Sequence, residues 1–216
     1  MHPLTEDIKS KLAILLGPKH QELIAKLQEA TLPWHFLDIL EKEQYPFNNE
    51  NHGTVHPSVV IEGDVFISKG VIVHPFTFIQ GPAFIGPGSI IGPHAYIRPA
   101  TIIGSDCHIS TSTVKNSIIL SRSNVPHYSY VGDSVISEDC NFGAGCQTAN
   151  LRLDWKPVKV KIEDQLHDSG RSKLGCILEP GVKLACATIL NPGTYVKKGT
   201  MLLGSTAYKG YVGSQD

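Results

Sequence analysis

The chain carries no appreciable excess of charge of either sign. Nineteen Lys and Arg stand against twenty Asp and Glu in 216 residues, for a formal net charge of −1 and a pI near 6.8. The electrostatic footprint of a nucleic-acid-binding or membrane-surface protein is therefore missing. No apolar run is long enough to span a bilayer. The five cysteines, Cys107, Cys140, Cys146, Cys176 and Cys186, include no CxxC pair and are odd in number. They read as free thiols in a reducing compartment rather than as a disulfide framework. The opening Met1-His2-Pro3-Leu4-Thr5-Glu6-Asp7 has no basic segment followed by an apolar stretch, so no secretory signal is expected and the expected location is the cytoplasm.

From residue 55 onward, aliphatic residues recur at every sixth position. Val55, Ile61, Ile67, Val73, Ile79, Ile85, Ile91, Ile97, Ile103 and Ile109 form an unbroken ladder, each followed four residues on by a small or β-branched residue. A period of six fits neither an α-helix nor an alternating strand, and internal repeats outrank local propensity. The pattern predicts an all-β fold, a left-handed parallel β-helix, with the ladder residue pointing inward from each strand. Gly81-Pro82, Gly86-Pro87-Gly88 and Gly92-Pro93 fall between ladder positions, where turns belong. After a gap the ladder returns as Leu178, Leu184, Leu190, Val196 and Leu202. At about eighteen residues per coil this predicts about seven coils.

Residues 1–50 lack the repeat. Ile8, Leu12, Leu15 and Leu16, then Leu23, Ile24 and Leu27, then Trp34, Phe36, Leu37 and Leu40 fall at helical spacing, with Gly17-Pro18 and Pro33 between the runs. The expectation is a short helical segment that covers the open first coil, since solenoid ends expose apolar residues and unpaired strand edges. Tyr45 to Gly53 reads as a polar linker, and residues 51–216 as the β-helix. Residues 149–175 also lack the repeat and read as a loop thrown out from one corner.

The ladder breaks at Lys115, which an even spacing would place inside, stacked on Ile97. A buried unpaired ammonium is very unfavourable. A five-residue step makes Val114 the inward residue and turns Lys115 outward, in one column with Arg98. Two cations one strand spacing apart, about 4.8 Å, call for an anion or for wide solvation.

The stretch Val125-Pro126-His127-Tyr128-Ser129-Tyr130-Val131-Gly132-Asp133, with Asn141-Phe142-Gly143-Ala144-Gly145 and Asn150 after it, resembles a known family. It is similar to the acetyltransferase domain of the bifunctional glucosamine-1-phosphate acetyltransferase and N-acetylglucosamine-1-phosphate uridyltransferase. Asn150-Leu151-Arg152 and Ser169-Gly170-Arg171-Ser172-Lys173-Leu174-Gly175 look closer to the archaeal-type sugar-phosphate nucleotidylyltransferases that share this β-helix. The resemblance covers about residues 55–207. It implies a homotrimer with active sites between subunits and acetyl-CoA as co-substrate; from the scatter of the histidines, no metal is expected. It implies His127 as general base, and Arg98 and Lys115 as phosphate contacts. Tyr130, Asn141, Asn150, Lys156 and Lys159 fall at further substrate positions, and Ala144 and Cys176 at the acetyl-CoA groove.

Elementary chemistry agrees with several of these assignments. An amine must lose a proton to attack a thioester, and neutral imidazole suits that task near pH 7. A sugar 1-phosphate needs fixed cations, and its hydroxyls need neutral donors and acceptors. The reading is an acyl-CoA-dependent N-acyltransferase acting on an amino-sugar phosphate, most simply glucosamine 1-phosphate. Two alternatives stay open. One is a non-catalytic β-helix that binds a sugar nucleotide or regulates a nucleotidylyltransferase. The other is a metal-dependent hydratase of the carbonic-anhydrase kind, against which His74, His94, His108 and His127 are scattered through the coils and the close pair His52 and His56 lies away from the family-like stretch. The segment before the repeat reads as helical and holds no nucleotide-binding βα unit with a Gly-rich loop, so this chain is not expected to make a nucleotide sugar by itself.

Overall fold

A computed structural model describes residues 2–213. The chain winds into a left-handed parallel β-helix whose three faces carry nine, eight and eight strands. The first face runs from Glu50–Asn51 to Tyr211–Val212, the second from Thr54–Val55 to Met201–Leu202, and the third from Val60–Glu62 to Ala207–Tyr208. This is more coils than the seven expected. The first begins at Glu50, inside the stretch read as linker, and some coils are shorter than eighteen residues: Ile102 lies opposite Ile118, and Thr113 opposite Tyr130.

The interior is the ladder. Ile67, Val73, Ile79, Ile85, Ile91, Ile97, Ile103 and Ile109 are all buried in one core cluster with Leu178, Leu184, Leu190, Val196 and Leu202. The five-residue step occurs as expected, with Val114 buried opposite Ile97. A second follows at once: Ile119, not Leu120, lies opposite Ile103 and faces inward. Each shortened step removes one corner residue while keeping the same side chains inside.

Three helices precede the prism: α1 (Pro3–Leu16), α2 (Gln21–Leu27) and α3 (His35–Glu43). They do not cover the first coil, where Ile61 is 39 % exposed. They lie along the first face. The reason is a second apolar column, on the outside of that face: Phe66, Phe84, Ile102, Ile118, Val135, Ile177, Tyr195 and Tyr211, each paired with the next. Together with Ile8, Leu12, Leu23, Leu27, Trp34, Phe36, Leu37 and Leu40 it forms a second core. A long apolar column needs a cover more than a single coil end does, because each fully buried side chain contributes about 1.5–3 kcal/mol. At the start of α1 the His2 ring meets Tyr195 edge-on, and past its end His20 meets Phe66 and Phe84. A helix of fourteen residues is about 21 Å long, and the five strand spacings from Tyr195 to Phe84 span about 24 Å, so the lengths match.

The ejected segment between Thr148 and Cys176 folds back onto the same face. Lys159–Ile162 and Gln165–Asp168 pair as an antiparallel hairpin. Val158, Val160 and Ile162 are buried in the second core, and the His167 ring lies 6.1 Å from Trp34. Among the described residues the second and third faces have no such cover. Their outward columns mix apolar and polar side chains, such as Ile90, His108, Asn124 and Asn141 on the second and Phe78, Tyr96, Thr113 and Tyr130 on the third.

Candidate active site

His127 sits at the corner between the second and third faces. Its backbone takes the left-handed conformation (φ 62°), which several corner residues of this prism share and which His, Asn and Asp tolerate better than most. The corner is held by stacked main-chain bonds: the His127 N–H donates to Ser110 O (3.0 Å), and its own carbonyl accepts from the Gly145 N–H (2.8 Å). The imidazole is therefore carried outward into solvent on a fixed backbone. Ala144 lies one coil further on at the same corner, its carbonyl accepting from Ala187 N–H. His108 is close by on the second face; burial, and then the charges of His127 and His74, hold its pKa below the usual imidazole value. Asn141 is exposed on the second face, paired with Asn124 and Lys183.

The other polar candidates gather at the next corner, between the third and first faces. Lys115 does turn outward beside the position of Arg98, but its counter-anion belongs to the protein. Its Nζ donates to both oxygens of Asp133, at 3.0 Å each. Asp133 is 1 % exposed and also accepts from Asn116 Nδ2 (3.0 Å) and Asn150 Nδ2 (2.5 Å). Asn150 further donates to Tyr130 Oη (3.2 Å). The Tyr130 ring folds back over Gly132, where an added Cβ would stand 2.3 Å from Oη, so this approach requires glycine. Burial, and then the Asp133 charge, push the Tyr130 phenol above its usual pKa, against the opposing pull of Arg98 and Asn150.

Arg98 is the freer cation. Its guanidinium lies 5.7 Å from the Tyr96 ring centroid, and its Nε is buried without a partner. Among the described residues no carboxylate stands within ion-pair distance of it. Arg98, Lys115, Tyr130 and Asn150 thus form one cluster, and His127 with Ala144 form another, at opposite ends of the strand Tyr130–Gly132.

Lys156 and Lys159 are exposed on the ejected segment, and among the described residues neither bonds to this cluster. The Lys156 N–H bonds to Asp154, and Lys159 pairs with Asp168 through the backbone. Cys176 is fully buried on the first face, its thiol turned inward at 3.7 Å from Ser134 Oγ, and burial pushes it up to about 12. Its side chain does not reach the corner of Ala144. Among the described residues no three His, Cys, Asp or Glu side chains gather in a metal-holding group, and no helix is long and apolar enough to cross a membrane.

Sequence reading left several participants without a role. Asp133 anchors Lys115 and Asn150. Asn116 also donates to Glu41 of α3 (3.3 Å), and Arg171 from the ejected segment binds Asp38 and Glu41. Asp133 stood inside the family-like stretch, which was a usable signal. Asp38 and Glu41 carried none, being separated from Arg171 by 133 and 130 residues.

Residues 79–167 match a family model described as the GMPPB C-terminal domain. Over 168 residues the chain is 46 % identical to the bifunctional protein GlmU of Methanocaldococcus jannaschii, covering 76 % of this chain and 40 % of that protein. The β-helix is a hexapeptide-repeat domain like the C-terminal domain of GlmU. It is also 40 % identical over 183 residues to the bifunctional sugar-1-phosphate nucleotidylyltransferase/acetyltransferase of Sulfurisphaera tokodaii, covering 77 % of this chain and 45 % of that one. The GlmU-like chain therefore spans less than half the length of these curated relatives. A solved UDP-N-acetylglucosamine acyltransferase from Francisella novicida is 14 % identical, with a TM-score of 0.41, over 73 % of this chain and 61 % of that one.

Proposed function

We propose that the chain is an acyl-CoA-dependent N-acyltransferase that acetylates an amino-sugar phosphate, most simply glucosamine 1-phosphate. One observation carries this reading. A solvent-facing imidazole and the group of Arg98, Lys115, Tyr130 and Asn150 sit on two neighbouring corners of one prism, at opposite ends of a strand, so that one small substrate within a chain does not span them. They come together where the His127 corner of one copy meets the cation corner of another. The helices cover only the first face, so the second and third remain free for a trimer of this kind.

In that shared site the sugar phosphate is held by Arg98, with Lys115 as a second cation. Tyr130 and Asn150 meet its hydroxyls, as does Asn141 from the His127 side. Lys156 and Lys159 are candidate contacts from the ejected segment. His127 takes a proton from the substrate ammonium or amine. The amine nitrogen then bonds to the thioester carbonyl carbon of acetyl-CoA, the C–S bond breaks, and the thiolate leaves and is protonated. Ala144, small and one coil from His127, leaves room for the pantetheine arm. The GlmU and nucleotidylyltransferase/acetyltransferase relatives support this reading by their names and their identity over about three quarters of this chain.

The deciding experiment is thiol release from acetyl-CoA across a panel of amino-sugar phosphates, with light scattering on the same sample. Release with one of them by a trimer is the expected result. No release with any of them, alongside retained binding of a sugar nucleotide, establishes the non-catalytic module instead.

A further inference from the structure

Arg171 is 9 % exposed, and its guanidinium is surrounded by acids from two distant parts of the chain. It pairs with Asp38 and Glu41 of α3 (the latter at 3.0 Å), and lies 3.6 Å from Asp133. Its Nε donates to the Lys173 carbonyl (3.0 Å), which fixes the plane of the group. Asp133 in turn holds Lys115 and Asn150. Asn116 closes the ring, donating both to Asp133 and to Glu41. The helical segment is thus joined to two side chains of the substrate cluster by hydrogen bonds through Asn116 and by the longer ion contact between Arg171 and Asp133.

We infer that Arg171 is a positioning residue for the substrate cluster: clamped by Asp38 and Glu41 of α3, it fixes Asp133, and through Asp133 the side chains of Lys115 and Asn150. What the cluster serves rests on the acyltransfer reading; the clamp itself does not. Physical chemistry favours arginine here. A planar guanidinium can present separate N–H groups to a carbonyl and to several carboxylates at once, and an ammonium cannot do so with fixed geometry. A buried carboxylate such as Asp133, which already binds one cation and two amides, keeps its lone pairs directed only if its neighbours are rigid. Supporting groups of this kind set the orientation of binding side chains they never replace. The N-terminal helices thus have two tasks: they cover the first face, and they brace one half of the site.

The test uses the full chain and two independent readouts. One is the rate at which a neutral amine-directed acylating reagent labels Lys115, followed by mass spectrometry with exposed Lys183 as internal control. The other is steady-state kinetics. Arg171→Met should raise the Lys115 labelling rate several-fold while Lys183 stays constant. It should also raise KM for the sugar phosphate about tenfold, the size of one charge-assisted contact, with KM for acetyl-CoA unchanged. Arg171→Lys should recover only part of either effect. Unchanged Lys115 labelling in a folded Arg171→Met protein overturns the inference. If that variant does not fold, the surface pair Asp38→Asn with Glu41→Gln decides by the same labelling: faster labelling supports the clamp, and unchanged labelling overturns it. Altered labelling in a protein that transfers no acetyl group upholds the clamp and removes the acyltransfer reading; normal labelling with altered turnover does the reverse.

Discussion

The ammonium of Lys115 stands 3.0 Å from each carboxylate oxygen of Asp133, one coil further along the prism. The pair answers a question raised by the ladder itself, namely what neutralises a cation turned outward next to Arg98. Lys115 is already matched to a protein carboxylate, whereas Arg98 is not. The two members of the cation column are therefore not equivalent: Arg98 is the one free to meet an added anion at full charge.

Asp133→Ala is expected to lower stability by about 3–5 kcal/mol, because it leaves the Lys115 ammonium without its carboxylate and removes one acceptor each from Asn116 and Asn150. Urea unfolding of the variant against the parent checks this. A loss below about 1 kcal/mol would mean that the pair behaves like a solvated surface bridge.

His127→Asn is expected to lower kcat by about 10²–10⁴-fold as the loss of a general base, while leaving KM for the sugar phosphate nearly unchanged. Asparagine is the better replacement because it accepts the left-handed corner that His127 occupies, so the fold and assembly should persist. Arg98→Ala should do the opposite, raising KM about tenfold or more with a smaller effect on kcat. Kinetics of both variants in the thiol-release assay separate the two roles, and matching effects in both would show that the corners do not act as base and anchor.

Phe84→Ala is expected to cost about 3–5 kcal/mol although the residue points away from the β-helix interior. Its ring stacks on Phe66 at 5.1 Å and meets His20 and Phe47, so its loss opens a cavity under the helices. A melting temperature close to the parent's would show that the helices add little to the stability of the first face.

Stability should also fall on mild acidification. His20 is buried edge-on against Tyr45, Phe47, Phe66 and Phe84, and desolvation, followed by the nearby Lys19 charge and opposed by Glu50, lowers its pKa below 6.5. The neutral ring is thus favoured in the fold. Its contribution is complete above the unfolded pKa and declines as pH drops below about 6.5 toward the folded value. His2 and His35 shift in the same direction, mainly through burial, and add to the slope. Thermal unfolding between about pH 8 and pH 5 should show this decline, and His20→Phe should flatten part of it. An unaltered slope in that variant would assign the effect to the other groups.

Much of the architecture was legible because its causes are local. The inward residue of most strands, the turn glycines and prolines, the three helices and the extent of the ejected segment depend on steric preferences within a few residues; Leu120, which the repeat also offered as inward, yields that place to Ile119. The step that turns Lys115 outward follows from the prohibition on a buried lone ammonium. Even so, one periodicity masked another. Phe66, Phe84, Ile102, Ile118, Val135, Ile177, Tyr195 and Tyr211 stand at uneven intervals, and they become a column only once the coil register is known. That register decided where the helices lie, since they pack against whatever apolar surface the stacked coils present. Distance along the chain hid the rest. The attachment of Arg171 to α3, the capture of Lys115 by Asp133 and the separation of His127 from the cation cluster are fixed by stacking and charge complementarity between residues remote in sequence. Only the folded chain brings those groups within reach of one another.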